Sequence, residues 1–241
     1  FGVNYLSKQK GRVIRYNKRF INDKRYMGFW SLLTTGNIIS KEFSFYEVPQ
    51  KLDVFDNDAF MKSKIDFWAT ITNVETGNPE YVKLNDLFAQ MEVLRATSAM
   101  PYVSKIVELE TGKYLDGGIS DSIPIDFNYN KTDKNIVILT QPLNYKKKPV
   151  NKLKKIFIYL KFFRYPKLIN TMLDRYKEYN KKIEKIIQLE NNKEIFVIRP
   201  EKRIFIKLNE KDQNNYQKIY DSGVQTGNKI IKELKKYINK E

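Results

Sequence analysis

The apolar residues of the chain follow two patterns, one typical of β-strands and one typical of α-helices. Residues 66–73 are rich in β-branched and aromatic side chains, and residues 135–140 form a short continuous apolar run, so both segments predict strands. A turn at residues 75–79 leads to another strand near Tyr81, and residues 194–198 predict a further one. The continuous run at 135–140 is typical of a buried strand in a parallel sheet.

Helical spacing is clearest in residues 85–97, where Asn85 is the predicted N-cap. The apolar positions of this segment are Leu87, Phe88, Met91 and Leu94. Residues 152–190 predict a long helix interrupted at Pro166, and residues 212–241 are mostly helical. Strands that alternate with helices in this way favour an α/β fold with a layered sheet.

The first sixty residues show weaker patterns. Residues 1–7 have the pattern of the end of a helix already under way, and residues 11–21 predict a basic helix. Residues 22–60 predict irregular backbone, in which Asp58 caps a short helix.

Composition narrows the chemistry. The 241 residues are 41% apolar, enough for one domain with a sizeable core, and no run approaches the length of a membrane span. The chain has no cysteine and no histidine, which excludes disulfides, thiolate metal sites and a Ser-His-Asp triad within these residues. A hydrolase built on them needs a carboxylate or a lysine as its general base. The acids Asp53, Asp56 and Asp58 do not meet the EF-hand pattern, so no metal site is predicted.

Positive charge is concentrated in two segments. The net charge is +16, and residues 1–30 hold eight Lys or Arg against one acidic residue, while residues 134–173 hold ten and none. A lysine-rich composition explains the overall charge but not the acid-free stretch. A basic surface suits an anionic membrane or an acidic substrate. Because no known nucleic-acid-binding motif is present, nucleic acid is not an expected partner.

The sharpest chemical signal is the segment YLDGG at residues 114–118. Its apolar lead-in predicts Asp116 at the end of a strand, and Gly117 and Gly118 allow positive φ angles and a close approach of the backbone to another group. Such a position suits an acid presented at the mouth of a sheet, whereas the structural alternative is an ordinary Asp-Gly hairpin turn. Upstream, RATSAMP at residues 95–101 ends a helix with small residues, which allow tight packing on neighbouring backbone.

In order and spacing, these segments resemble the patatin-like phospholipase family, and a bacterial subgroup of it in particular. The similar segments near the middle are ATSAMP at 96–101, YLDGG at 114–118, and Ala69-Thr70 followed by VETG at 74–77. The others are NYLS at 4–7 with Gly11-Arg12, ILTQP at 138–142, Tyr145 with KKP at 147–149, Tyr165-Pro166, and RYKEYN at 175–180. The resemblance spans nearly the whole chain.

The resemblance implies a patatin-like three-layer α/β fold, with a central, mostly parallel sheet flanked by helices. It also implies a phospholipase A-like lipid acyl ester hydrolase that uses a Ser-Asp dyad, a lipid ester as substrate and no cofactor. The aspartate of the family's DGG motif corresponds to Asp116, which accepts the serine proton, and Gly117 and Gly118 complete the motif. Partial burial that raises the pKa of this carboxylate favours the role.

The chain departs from the family pattern in one respect, because the G-x-S-x-G nucleophile elbow and the glycine-rich oxyanion loop do not occur in these residues. We therefore expect residues 1–241 to form a single patatin-like domain without its N-terminal strand, oxyanion loop and elbow, with the serine before residue 1. The alternative is a non-catalytic relative that binds anionic membranes. We expect a cytoplasmic protein with peripheral membrane contact, and nothing in the sequence indicates an oligomeric state.

Residues 152–164 predict a basic amphipathic helix. Its apolar stripe consists of Leu153, Ile156, Phe157, Leu160 and Phe163, and the basic residues outside it are Lys154, Lys155, Lys161 and Arg164. Such a helix suits a bilayer interface, with its aromatic rings at head-group level. The alternative is a stripe that packs on the domain core with its lysines in solvent.

Overall fold

The computed structural model describes residues 2–206 and 210–239, which form a four-stranded sheet, a two-stranded sheet and helices around them. The strands are β1 (Phe67–Asn73), β2 (Pro79–Leu84), β3 (Val107–Leu109), β4 (Gly112–Asp116), β5 (Asn135–Ile138) and β6 (Ile195–Ile198). The α-helices are α1 (Gly2–Leu6), α2 (Arg12–Phe20), α3 (Phe29–Thr35), α4 (Asn57–Met61), α5 (Met91–Thr97), α6 (Ile125–Asn128), α7 (Lys152–Phe162), α8 (Pro166–Asn191) and α9 (Gln213–Ile238). A π-helical segment spans Glu42–Leu52, and 3₁₀ turns span Gly117–Ile119 and Tyr129–Lys131. The predicted terminal helices also included Phe1, Lys240 and Glu241, which lie outside the described residues.

The central sheet is antiparallel, so the prediction of a mostly parallel, three-layer patatin-like sheet is wrong. Its strand order is β2-β1-β4-β3, and every neighbouring pair runs antiparallel. The connections explain two of the three pairs, because residues 74–78 join β1 to β2 and residues 110–111 join β3 to β4. A parallel pair needs a crossover of about a dozen residues or more. The α/β class itself is confirmed.

Parallel pairing occurs outside the central sheet. Strand β5 pairs with β6 in parallel over its whole length, as the apolar run at residues 135–140 predicted. The chain between these two strands includes α7 and α8, which is ample for a crossover. Val137 is buried whereas Ile136 and Ile138 are exposed, so one face of this small sheet lies against the protein.

The turn between β1 and β2 seats helix α8 against the central sheet. Gly77 in this turn has a φ of +71°, a conformation that favours glycine, and an added Cβ would lie 2.9 Å from the Lys167 carbonyl oxygen. The Thr171 hydroxyl donates to the Gly77 carbonyl at 3.0 Å. Helix α8 then buries its apolar face, including Leu168 and Met172, in the main core. This contact places α8 beside the end of β4.

Several predicted helix boundaries change. Helix α5 begins at Met91, and the predicted cap at Asn85 is wrong because Asp86 instead accepts hydrogen bonds from the backbone of a preceding turn. Helix α4 is capped by Asp56 and not by Asp58, since the Asp56 carboxylate accepts from the Ala59 N–H at 2.8 Å. The segment 22–60 is largely helical rather than irregular.

The predicted break at Pro166 is confirmed, but helix α7 docks through an unexpected face. Helix α8 starts at Pro166, where the missing N–H of proline costs no helical hydrogen bond. Ile158 and Phe162, four positions apart, hold α7 on the core. The predicted stripe faces solvent instead, with Leu153 79%, Leu160 73% and Phe163 68% exposed.

Candidate active site

Asp116 is the last residue of β4, so the predicted strand-end position is confirmed. Its N–H donates to the Ala99 carbonyl at 3.0 Å, and its own carbonyl accepts from the Thr72 hydroxyl at 2.8 Å. These bonds fix the backbone between β1 and the end of α5. The carboxylate oxygen Oδ1 accepts from the Gly118 N–H at 2.7 Å, so the side chain is oriented by its own turn.

The two glycines of the motif act through close approach, and neither adopts the positive φ that glycine allows. Gly117 and Gly118 enter a 3₁₀ turn with ordinary negative φ, and the chain does not form an Asp-Gly hairpin there. A Cβ on Gly117 would lie 2.1 Å from the Thr70 carbonyl oxygen, so no other residue fits without moving backbone. A Cβ on Gly118 would lie 3.1 Å from Asp116 Oδ1.

The RATSAMP segment packs tightly on the same strand, as its small residues predicted. Ala96 and Ala99 are buried, and the Thr97 hydroxyl donates to the Thr70 carbonyl at 2.6 Å. The two segments that carry most of the family resemblance therefore converge on β1 at Thr70, and they position Asp116 together.

Two basic side chains from later in the chain approach this turn. Arg175 on α8 donates from Nε to the Gly118 carbonyl at 2.6 Å. Lys147 is fixed by its main chain, whose N–H donates to Asn180 Oδ1 at 2.9 Å and whose carbonyl accepts from Asn180 Nδ2 at 3.0 Å. Its ammonium lies 4.1 Å from the centre of the Tyr179 ring.

Burial and charge shift the pKa of both ionisable groups of the site. Burial raises the pKa of Asp116, and the Gly118 N–H and the positive charges of Arg175 and Lys147 offset only part of that effect. Burial, together with repulsion from Arg175, lowers the pKa of Lys147 to about 8, against the attraction of Asp116. The site thus contains a carboxylate and an amine whose pKa values both move towards neutrality.

Cavities of about 280 Å³ and 270 Å³ lie on either side of Lys147 and Arg175, which line both. Gly118 lines the second cavity, and Asp116 is one hydrogen bond behind it. The sequence analysis did not place Lys147 or Arg175 in the active site. The available signals were the acid-free stretch at residues 134–173 and the similar segments at 147–149 and 175–180.

The aspartates that were considered for a cation loop have structural partners. Asp53 forms ion pairs with Arg12 and Arg15, and Asp56 caps α4. Asp58 is exposed on the first turn of that helix. The three aspartates thus have separate surroundings, and Asp53 is the buried one.

Comparison with known proteins places the chain in a family of lipid hydrolases. The patatin-like phospholipase family matches residues 9–129, half of the chain, so the chain belongs to that family. A domain of unknown function (DUF6363) matches residues 165–239, and a search of curated proteins found no match. Asp116 lies in the first matched region and Arg175 in the second, so the site joins the two. In residues 2–206 and 210–239, no helix combines the length and apolarity needed to cross a membrane.

Proposed function

We propose that the chain is a single patatin-like domain, lacking its N-terminal strand, oxyanion loop and nucleophile elbow, of a phospholipase A-like lipid acyl ester hydrolase. Asp116 is its general base, and the nucleophilic serine precedes residue 1. The observation that supports this role most directly is the environment of the carboxylate. Burial raises its pKa, Oδ1 is held by Gly118, and Oδ2 accepts no hydrogen bond from the described residues.

In the proposed reaction, the serine hydroxyl gives its proton to Asp116 and its oxygen attacks the carbonyl carbon of the lipid ester. The bond to the alcohol then breaks, and Asp116 returns the proton to the leaving oxygen. Water hydrolyses the resulting acyl-serine, with Asp116 accepting the proton of the water and passing it back to the serine. In this scheme one carboxylate performs every proton transfer, since residues 1–241 contain no histidine that could share them.

Replacement of Asp116 tests this role in a protein that carries the serine. Asn is nearly isosteric but cannot accept a proton at neutral pH, so Asp116→Asn is expected to lower kcat/KM by about 10²–10⁴-fold. Circular dichroism should remain unchanged. Asp58→Asn, at an exposed position, is the matched control. An Asp116→Asn variant that keeps more than about a tenth of the wild-type value would exclude Asp116 as the base.

A serine-directed fluorophosphonate probe tests the position of the nucleophile. We expect it to label the protein with the upstream serine and not residues 1–241 alone. Stoichiometric labelling of residues 1–241 would place the nucleophile inside them, where Ser120 and Ser98 are the candidates. Both hydroxyls are already engaged, Ser120 with the Thr72 hydroxyl at 2.8 Å and Ser98 with the Leu94 carbonyl at 2.9 Å.

The exposed face of α7 supports a second element of the proposal, docking on an anionic lipid surface. Its apolar stripe faces solvent, and Lys152, Lys154 and Lys155 are exposed beside it. Apolar side chains flanked by lysines match the interface of an anionic bilayer, where each basic residue contributes about 1 kcal/mol. The same face would serve the alternative, a non-catalytic relative that binds anionic membranes.

Vesicle co-sedimentation tests whether α7 docks on anionic membranes. Binding should increase with anionic lipid content and decrease as salt rises, and Leu160→Ser or the double change of Lys152 and Lys155 to Gln should weaken it. Ile231→Ser on α9, also exposed, is the control. Equal binding of neutral and anionic vesicles, or no loss in the α7 variants, would remove α7 as the docking face. Vesicle binding without fluorophosphonate labelling of the longer protein would favour the non-catalytic relative.

A further inference from the structure

We propose that Lys147 and Arg175 form a subsite for the phosphate group of the lipid substrate, beside Asp116. This inference rests on the proposed phospholipase A-like function and names the residues that hold the phosphate of its substrate. The subsite also explains why the region that follows the patatin-like match approaches the Asp116 turn.

The two cations share one site, and neither has an ion-pair partner among the described residues. In the part of the chain that the structure describes, neither Lys147 nor Arg175 forms an ion pair, although both lie close enough to Asp116 to affect its pKa. Arg175 uses only Nε, on the Gly118 carbonyl, and its two terminal nitrogens make no hydrogen bond among the described residues. Such a guanidinium binds a phosphate, as it binds a carboxylate, with two parallel hydrogen bonds.

Both cations are tied to the residue that orients the carboxylate. The Gly118 carbonyl accepts from Arg175 Nε at 2.6 Å and from the Ser122 hydroxyl at 2.7 Å. The Lys147 ammonium donates in turn to the Ser122 oxygen at 3.4 Å, and the Gly118 N–H binds Asp116. A phosphate held by the two cations would therefore have a fixed position relative to the general base, as a substrate-positioning group requires.

The shape and lining of the adjoining cavity agree with a charged head group on an apolar ligand. This cavity of about 280 Å³ is lined by four basic residues, Lys147, Lys148, Lys154 and Arg175, and by no acidic residue among those that the structure describes. Ile119 and Met172 contribute apolar wall. Ligand sites for drug-sized molecules usually measure about 300–1,000 Å³, so this cavity accommodates the polar end of a phospholipid rather than the whole molecule.

The charge state of Lys147 gives the proposal a second signature. The ionisable groups that face it are Asp116 on β4 and Arg175 and Tyr179 on α8, with Tyr145 against the Tyr179 ring. Because the pKa of Lys147 is lowered to about 8, phosphate affinity should fall as pH rises through that value. Lys147→Arg keeps the charge at all accessible pH values and should remove this dependence.

Isothermal titration of the 241-residue chain tests the subsite with three probes. These are a short-chain phosphatidic acid below its micelle concentration, the corresponding neutral diacylglycerol, and inorganic phosphate. We expect phosphatidic acid to bind at least about tenfold more tightly than either of the others. Lys147→Gln should weaken its binding by about tenfold or more, because a charge-assisted bond is lost. Lys181→Gln, an exposed lysine on the same helix as Arg175, should have no effect.

Lys147→Gln is the informative variant because the bonds to Asn180 come from the main chain of residue 147 and survive the change. Arg175→Gln also removes the bond to Gly118, so its melting temperature must be measured alongside. Unchanged affinity in Lys147→Gln would overturn the proposal. Inorganic phosphate that binds as tightly as phosphatidic acid would overturn the lipid assignment. None of these measurements needs the serine, so failure of the subsite and failure of the hydrolase activity are observed separately.

Discussion

Two aspartates of this chain each lie near two basic side chains, yet only one of them touches its neighbours. Asp53 Oδ1 lies 3.0 Å from Arg12 Nε and 3.0 Å from Arg15 Nη2. Asp116 lies near Lys147 and Arg175 without an ion pair to either among the described residues, since the Gly118 carbonyl holds the guanidinium. The difference between the two sites is therefore one of contact and not of charge count.

This difference gives the two carboxylates opposite pKa shifts. Burial alone would raise the pKa of Asp53, but the hydrogen bonds and charges of Arg15 and Arg12 outweigh it and lower the pKa. Burial also lowers the pKa of Arg12, yet a guanidinium stays protonated in proteins, so the ion pair persists. At Asp116 burial prevails and the pKa rises. Asp53, which forms ion pairs, is therefore a structural anion. Asp116, whose neighbouring cations do not contact it, is suited to accept a proton.

The largest expected effect on stability comes from Asp53→Asn. Removing one partner of a buried ion pair usually costs about 3–5 kcal/mol, and the substitution leaves the buried Arg12 without its counter-ion. We expect a loss near the lower end of that range, because Arg15 is largely exposed. Urea unfolding at neutral pH measures it.

The free energy of unfolding at acidic pH gives this prediction a second test. A lowered pKa adds stability above the unfolded-state value of about 3.9, and that stability is lost as pH falls through the folded-state pKa. The deficit of Asp53→Asn should therefore shrink in acid. Asp58→Asn should stay within about 0.5 kcal/mol of wild type. An Asp53→Asn variant as stable as wild type would mean that the ion pair merely offsets its own desolvation.

A smaller loss is expected from Gly117→Ala, which tests how the second carboxylate is held. The new methyl group would meet the Thr70 carbonyl oxygen, and overpacking of this kind costs about 1–3 kcal/mol. Gly118→Ala is the matched control, because its nearest contact is the Asp116 side chain, which can rotate. Thermal melts of the two variants compare them. Equal losses would show that the two glycines do not differ in their contacts as described.

The local parts of this comparison could be predicted from the sequence. The apolar lead-in to Asp116 and the break at Pro166 are properties of neighbouring residues, and both were predicted correctly. The antiparallel pairing of the central sheet was not predicted, because a run of β-branched residues specifies a strand but not its partner. The short connections, above all residues 110–111, make the β1–β2 and β3–β4 pairs antiparallel, whereas the pairing of β1 with β4 depends on residues far apart in the chain.

The basic residues near Asp116 could not be predicted from the sequence for a different reason. Arg175 is 57 positions from Gly118, and the contact depends on how α8 is seated by Gly77 and Thr171. Periodicity also failed to identify the docking face of α7, since Ile158 and Phe162 fit a helical spacing as well as the stripe does. Local pattern gives the amphipathic character of a helix, and tertiary packing chooses the face.

The smallest expected effect has the opposite sign, a gain in stability from Asp116→Asn at neutral pH. The pKa of Asp116 is higher in the folded than in the unfolded chain, so its contribution to stability is complete below the unfolded-state value of about 3.9 and is lost as pH rises through the folded-state pKa. Asn carries no charge that burial would destabilise, and its side-chain oxygen can still accept a hydrogen bond from the Gly118 N–H. The variant should therefore exceed wild type at pH 7, with the difference vanishing in acid, where Asp53→Asn also approaches wild type from below. Urea unfolding at both pH values would show it, and a less stable Asp116→Asn at pH 7 would mean that Lys147 and Arg175 stabilise this carboxylate as Arg12 and Arg15 stabilise Asp53.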